Sequence, residues 1–216
     1  MASLLVIIAK VLNLEMLMLI AKPVVVPAIY YYYLQTKTKN TSVLFSITIW
    51  LFFIADMIML IYSQSAILWI MACGILSYLI LIRFAIRDRV EIKFDVFNMA
   101  FLTLLLALLS YILYTILSLR IEDVTNYYFV YLSYGIVLII LVAVSAYNYL
   151  SYNTASFLHL CSMALCMLVS DLFYSINRFI IDLPILDHIN LFSQFMSYFF
   201  MVKYFNSRRT VTQKLK

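Results

Sequence analysis

The chain alternates between long apolar runs and short clusters of charged or turn-forming residues. The breaks define eight apolar segments: 3–20, 23–36, 42–62, 65–86, 95–119, 126–147, 152–176 and 186–205. A helix needs about 20 apolar residues to cross the hydrocarbon core, fewer when interfacial groups anchor its ends, so each run predicts a membrane-spanning α-helix. The second segment is short and opens at Lys22-Pro23, where proline suits a first helical turn because its missing N–H would be unpaired there anyway. Joining the first two segments into one kinked span would reduce the count to seven.

Composition extends this reading to the whole chain. Of 216 residues, 66% are hydrophobic and 12% charged, with two glycines and three prolines, and the mean hydropathy is +1.03. A soluble domain carries about a quarter charged residues, so the expectation is an all-α polytopic membrane bundle, one domain over 1–216 with no separate soluble domain. The first twenty residues carry Lys10, Asn13 and Glu15 within the apolar run and lack a small-x-small site, which favours a mature membrane helix over a signal peptide. Cys73, Cys161 and Cys166 form no ligand-like spacing with each other or with histidine, so neither a metal nor another cofactor is expected.

The formal charge of +5 is placed where orientation signals sit. With both termini on one face, that face holds Lys37, Lys39, Arg87, Arg89, Lys93, Lys203, Arg208, Arg209, Lys214 and Lys216, against Lys22, Arg120 and Arg178 on the other. The positive-inside rule puts both termini in the cytoplasm, which requires an even number of spans and favours eight. Nucleic acid is not implied; the expected setting is multi-pass in a bacterial inner membrane. The tetrad Tyr30 to Tyr33 reads as an interfacial aromatic belt, and RDRVEIK at 87–93 as an orientation-setting loop.

Charged side chains inside a bilayer cost at least a few kcal/mol each, so they face the bundle interior and are candidates for function. Asp56, in LFFIADMIML, and Asp171, in MALCMLVSDLFYSINRF, are the two clear cases. At 1.5 Å per residue, Asp56 lies ~21 Å along an outward-running helix, and Asp171 ~28 Å along its own. Both fall in the outer half. Glu15 joins them at ~18 Å along the first helix. Lys22 would cap the second helix at its N-terminus, where the helix dipole favours an anion. Asp171, Ser175 and Arg178 share one helical face. Together they predict an outward-opening pocket with carboxylates in its floor and cations at its rim, suited to an amphiphile with an anionic head. The plainer alternative is that both aspartates only fix helix packing. His159, off the Asp171 face, reads as a packed, hydrogen-bonded histidine.

Three stretches resemble the YhhN family of integral membrane proteins, which includes the lysoplasmalogenases: AKP at 21–23, LFSITIWLFFIAD at 44–56, and LVSDLFYSINRF at 168–179, similar to the family's S-D-x-x-x-x-x-N-R-F. Ala55 stands where the family usually has glycine. Gly74 and Tyr78 resemble its G-x-x-x-F/Y, but Ile82 replaces a common histidine, and Tyr198 stands where glutamine or histidine is frequent.

The resemblance implies hydrolysis of the vinyl-ether bond of a lysophospholipid, releasing a fatty aldehyde and a glycerophospho-alcohol. Protonation of the β-carbon gives an oxocarbenium ion, water captures it, and the hemiacetal collapses. Such chemistry needs a protonated carboxylic acid and a negative neighbour for the cation, as in glycosidases. Burial and a nearby like charge both favour a protonated carboxyl, so Asp56 and Asp171 could divide these roles. The assignment favoured is Asp171 as acid and Asp56 as stabiliser, with Lys22 and Arg178 on phosphate and Asn177 and Ser170 orienting the carboxyls; an Arg178–Asp171 pair would reverse it. Ser175 and Glu15 complete the expected substrate-binding set. Expected partners are the lysophospholipid and membrane lipids. The competing reading is a catalytically inactive lipid-binding or sensory bundle. A transporter is disfavoured by the scarcity of helix-breaking glycine and proline.

Overall fold

The computed structural model of the chain describes residues 6–7, 10, 12, 14–37, 42–62, 66–89, 95–118 and 127–214, excluding the side chains of Glu15 and of 209–214. Among the described residues there are seven helices and no strand, and six of the helices are long and apolar enough to cross a membrane. They are α1 (Glu15–Thr36), α2 (Val43–Tyr62), α3 (Ile67–Arg87), α4 (Val96–Leu117), α5 (Tyr128–Tyr152), α6 (Ala155–Phe179) and α7 (Pro184–Lys214). The expected segments from 42–62 to 152–176 coincide with α2 to α6, no end lying more than five residues away.

The N-terminal boundary is corrected. No break occurs at Lys22-Pro23: α1 starts at Glu15 and runs through both Pro23 and Pro27. In hydrocarbon an ended helix exposes backbone groups at several kcal/mol each, whereas an internal proline frees fewer, so continuing the helix is favoured. Lys22 therefore sits two turns inside α1, and the expected helix N-terminus beside it does not exist. Glu15 starts α1 rather than lying midway along a preceding helix, and its side chain is outside the described set. Of the first expected span before α1, Val6, Ile7 and Lys10 are helical and Val6 is fully buried; most of the rest lies outside the described residues. At the other end α7 continues past residue 205 to Lys214.

Short connections make successive helices antiparallel. One end of the bundle, the mouth, gathers the starts of α1, α3, α5 and α7; the other, the tail end, gathers their C-termini. Local caps mark the breaks: Asp95 accepts from Phe97 N, Thr154 from Phe157 N, and Asn153 takes the left-handed conformation (φ 44°) that ends α5. Pro184 opens α7 at the first helical position.

Six helices close into a ring in which α1 packs on α2, α2 on α3, α3 on α5, α5 on α6, α6 most extensively on α7, and α7 back on α1. Helix α4 lies outside the ring against α5, with only Leu109 buried, and presents Val96, Phe97, Leu104 and Tyr111 outward.

The tail half of the ring is filled. Tyr33, Phe45, Phe205 and Phe84 stack in sequence with centroids 4.1, 4.3 and 4.9 Å apart, among Leu81, Leu141 and Met201. The tyrosine tetrad thus divides: Tyr31 and Tyr32 are exposed as a belt requires, but Tyr33 is core. Arg208 closes this end, its Nε 2.6 Å and Nη2 2.8 Å from the two oxygens of Asp88, while the Tyr204 hydroxyl donates to Asp88 at 2.6 Å. The guanidinium lies 4.3 Å over the Phe84 ring. His159 stacks on Phe200 at 6.2 Å; contrary to expectation, its buried Nδ1 has no hydrogen-bond partner among the described residues. The tail half is thus packed, and a cavity lies in the mouth half.

Candidate functional site

A cavity of about 470 Å³ occupies the mouth half, and both Asp56 and Asp171 line it. One side of its wall is polar, from α6, α7 and the N-terminal residues; the other is apolar, from α3, α4 and α5 through residues such as Ile70, Leu113 and Leu138. From the mouth ends of their helices, Asp56 lies ~9 Å down α2 and Asp171 ~12 Å down α6, so the matched depth expected from spacing holds.

The two carboxylates are held differently. Asp56, 7% exposed, accepts from Gln194 Nε2 at Oδ1 (2.8 Å) and from the Tyr198 hydroxyl at Oδ2 (2.9 Å), and the charge of Lys22 acts on it. Both its oxygens are occupied. Asp171 receives two hydroxyls on one atom: Tyr78 and Tyr134 each donate to Oδ2 at 2.8 Å, with 3.0 Å between the two hydroxyls. Among the described residues Oδ1 of Asp171 has no partner and is left to the cavity, and no cation faces this carboxylate.

Phe52 stands between these units, its ring 6.0 Å from that of Tyr78 and 5.6 Å from that of Tyr198. The acids therefore share a cavity, each held by its own pair of donors, with the Phe52 ring between Tyr78 and Tyr198. Tyr198 feels the charge of both.

Local sequence explains the placement. On α6 Ser170 and Tyr174, and Asp171 and Ser175, are i, i+4 pairs and all four line the cavity. On α7 Asp187, Asn190, Gln194 and Ser197 recur at three- and four-residue steps and face it as a stripe. Gly74 admits the Tyr134 ring: a Cβ there would meet Tyr134 Cε2 at 2.7 Å.

Several expected roles change. Lys22 lines the cavity as the cation acting on Asp56. Arg178 is not among the described residues lining the cavity, and the donors to Asp171 are tyrosines, which removes the Arg178–Asp171 pair. Asn177 is not among the described lining residues: its Nδ2 donates to the Asp187 carboxylate at 2.9 Å and its Oδ1 accepts from Leu183 N at 2.8 Å, fastening the α6–α7 turn rather than orienting Asp56 or Asp171. Ser170 donates to Asn190 Oδ1 at 2.6 Å, not to either aspartate. Ser175 lines the cavity but its hydroxyl returns to the Asp171 carbonyl at 2.8 Å.

Residues the sequence reading left out complete the wall. Tyr134, Gln194, Asn190 and the ion pair Lys10–Asp187 (2.9 Å) were not singled out, although the periodic polar positions of α7 carry a signal for three of them. Ile82, where the resembled family has histidine, is buried in the bundle core and is not among the described lining residues. No group of three or more His, Cys, Asp or Glu suited to a metal occurs among the described residues. The chain matches no family model, no curated protein and no solved structure.

Proposed function

We propose that the protein is an integral membrane hydrolase of lysoplasmalogenase type, cleaving the vinyl-ether bond of a lysophospholipid by carboxylic acid and carboxylate catalysis. The observation that carries this reading is the contrast between two carboxylates lining one cavity: Asp171, whose Oδ1 is unbonded among the described residues, and Asp56 with both oxygens engaged. A general acid must present an oxygen to the substrate carbon, and a stabilising carboxylate must be fixed. Asp171 Oδ1 protonates the β-carbon of the vinyl ether, and Asp56 balances the positive charge on the resulting oxocarbenium ion. Water adds to that cation, its proton passes to a carboxylate, and the hemiacetal separates into aldehyde and glycerophospho-alcohol. The apolar wall from α3 to α5 accommodates the alkenyl chain.

The family resemblance rests on the S-D-x-x-x-x-x-N-R-F stretch and supports the same reading. Its departures weigh less than their residue types suggest: position 82 is off the cavity wall, and Gln194, one turn before Tyr198, donates to Asp56. The tail end carries Lys37, Arg87, Arg89, Lys203 and Arg208, against Lys10, Lys22 and Arg178 nearer the mouth. On that balance the tail end is cytoplasmic and the mouth faces away from the cytoplasm.

The test is aldehyde release from lysoplasmalogen by the purified protein in phospholipid nanodiscs, with Asp171→Asn and Asp56→Asn as paired variants. Release by wild type that disappears in both variants supports the proposal. Saturable lipid binding with no aldehyde from wild type establishes instead the second reading, a lipid-binding bundle without turnover.

A further inference from the structure

The cavity wall carries an unbalanced charge. Its described acids are Asp56, Asp171 and Asp187, and its described bases Lys10 and Lys22. Lys10 is spoken for by Asp187 at 2.9 Å, and the charge of Lys22 acts on Asp56. When ionised, Asp171 is the surplus acid, which no described cation faces; the hydrolase reading uses the same carboxyl in its protonated form. Its Oδ1, without a partner among the described residues, lies in the cavity wall beside the rings of Tyr78 and Tyr134, whose centroids are 5.4 Å apart, with Phe52 6.0 Å from Tyr78. A carboxylate oxygen without a donor, set among aromatic rings, is the chemistry that receives an organic cation: the oxygen supplies the counter-charge and the ring faces supply cation–π attraction. Beyond these groups the wall turns apolar through Leu109, Ile112, Leu113 and Leu138, which suits a single alkyl chain.

We propose that this cavity is a binding site for cationic single-chain amphiphiles, with a quaternary or protonated amine on Asp171 Oδ1 beside the tyrosine rings and the alkyl chain along α4 and α5. The proposal stands on the charge count and the unbonded oxygen, and does not require that the protein turn over a lipid.

The probe is dodecyltrimethylammonium, compared with a neutral chain of the same shape ending in a tert-butyl group. Saturable binding of each is measured on the protein in phosphatidylcholine nanodiscs against empty discs. The expected result is that wild type prefers the cation by roughly tenfold or more. Asp171→Asn should remove the preference, and Asp182→Asn, at an exposed position outside the cavity, should retain it. Equal affinity for the two probes in wild type, or a preference that survives Asp171→Asn, overturns the proposal. If Asp171→Asn does not elute as wild type does, the same cation bearing a diazirine at its head decides the matter. Labelling of Asp171, Tyr78 or Tyr134 in wild type supports the site, and labelling confined to Asp56 or Asp187 overturns it. Aldehyde release is assayed separately. Cation binding without release removes the hydrolase reading alone, and release without cation preference removes this site alone.

Discussion

Gly74 and Tyr134 meet across the α3–α5 interface so closely that a Cβ on residue 74 would stand 2.7 Å from Tyr134 Cε2. The ring cannot simply swing aside, because its hydroxyl is held by Asp171 at 2.8 Å and lies 3.0 Å from that of Tyr78. Gly74→Ala should therefore behave as an overpacked interior, costing about 1–3 kcal/mol. Tyr134→Phe keeps the ring and leaves Tyr78 still donating to Asp171, so its cost should stay near 1 kcal/mol. Thermal melting in nanodiscs checks the order. A Gly74→Ala variant as stable as Tyr134→Phe would mean that the two helices are not packed as described.

The different bonding of the two acids predicts different tolerance to an amide. In Asp171→Asn the single carbonyl oxygen can accept from both Tyr78 and Tyr134, as Oδ2 does now, and the amide nitrogen takes the open side. In Asp56→Asn one of the donors Gln194 and Tyr198 must face an N–H; flipping Gln194 repairs that contact but loses its 3.2 Å bond to Tyr198. Asp56→Asn should be the less stable by about 1 kcal/mol or more. Melting curves of the two variants side by side decide it, and the reverse order would contradict the proposed division of roles.

Both aspartates were legible in the sequence because a charge in the middle of an apolar run has few explanations. The spans from 42 to 176 were legible for a similar reason: length and hydropathy specify a membrane helix with little help from tertiary contacts. What was lost has physical causes. Tyr78 and Tyr134 are two among 18 tyrosines, and no local pattern marks which hydroxyl will meet a distant carboxylate. The start of α1 was misplaced because proline ends helices in water, whereas in a bilayer the backbone has nowhere else to satisfy its hydrogen bonds. The stripe Asp187, Asn190, Gln194 and Ser197 was readable at helical spacing, and reading it would have placed α7 on the cavity. Helical spacing groups Arg178 with Asp171, and the resembled motif adds Asn177, but neither is among the described residues that line the cavity.

Lys22 separates two accounts of the site. A lysine that grips a phosphate contributes to substrate binding, so Lys22→Gln would raise KM and spare kcat. A lysine whose charge acts on Asp56 matters when that carboxylate faces a developing cation. Its loss then alters kcat with little change in KM. The charge of Lys22 on Asp56 favours the second outcome, and steady-state aldehyde release over a range of lysoplasmalogen concentrations distinguishes them. An increase in KM alone would return Lys22 to the headgroup.

The tail-end contact among Asp88, Tyr204 and Arg208 is chemically unlike the cavity, and its removal should have an unlike effect. The side chains of Arg208 and Asp88 are only 16% and 9% exposed, and the pairing is two-pronged, so removing one partner leaves a charge without its counter-ion in a largely dry position. Asp88→Ala should cost about 3 kcal/mol in stability. Arg208→Lys should recover little, since an ammonium cannot span both oxygens or lie flat on Phe84 as the guanidinium does at 4.3 Å. Because the aromatic stack of Tyr33, Phe45, Phe205 and Phe84 lies at this end and the cavity near the mouth, the loss should appear in the melting temperature. The wild-type preference for the alkylammonium probe should persist below that temperature. A variant that melts as wild type does but no longer distinguishes the probes would show that the two ends of the bundle are coupled.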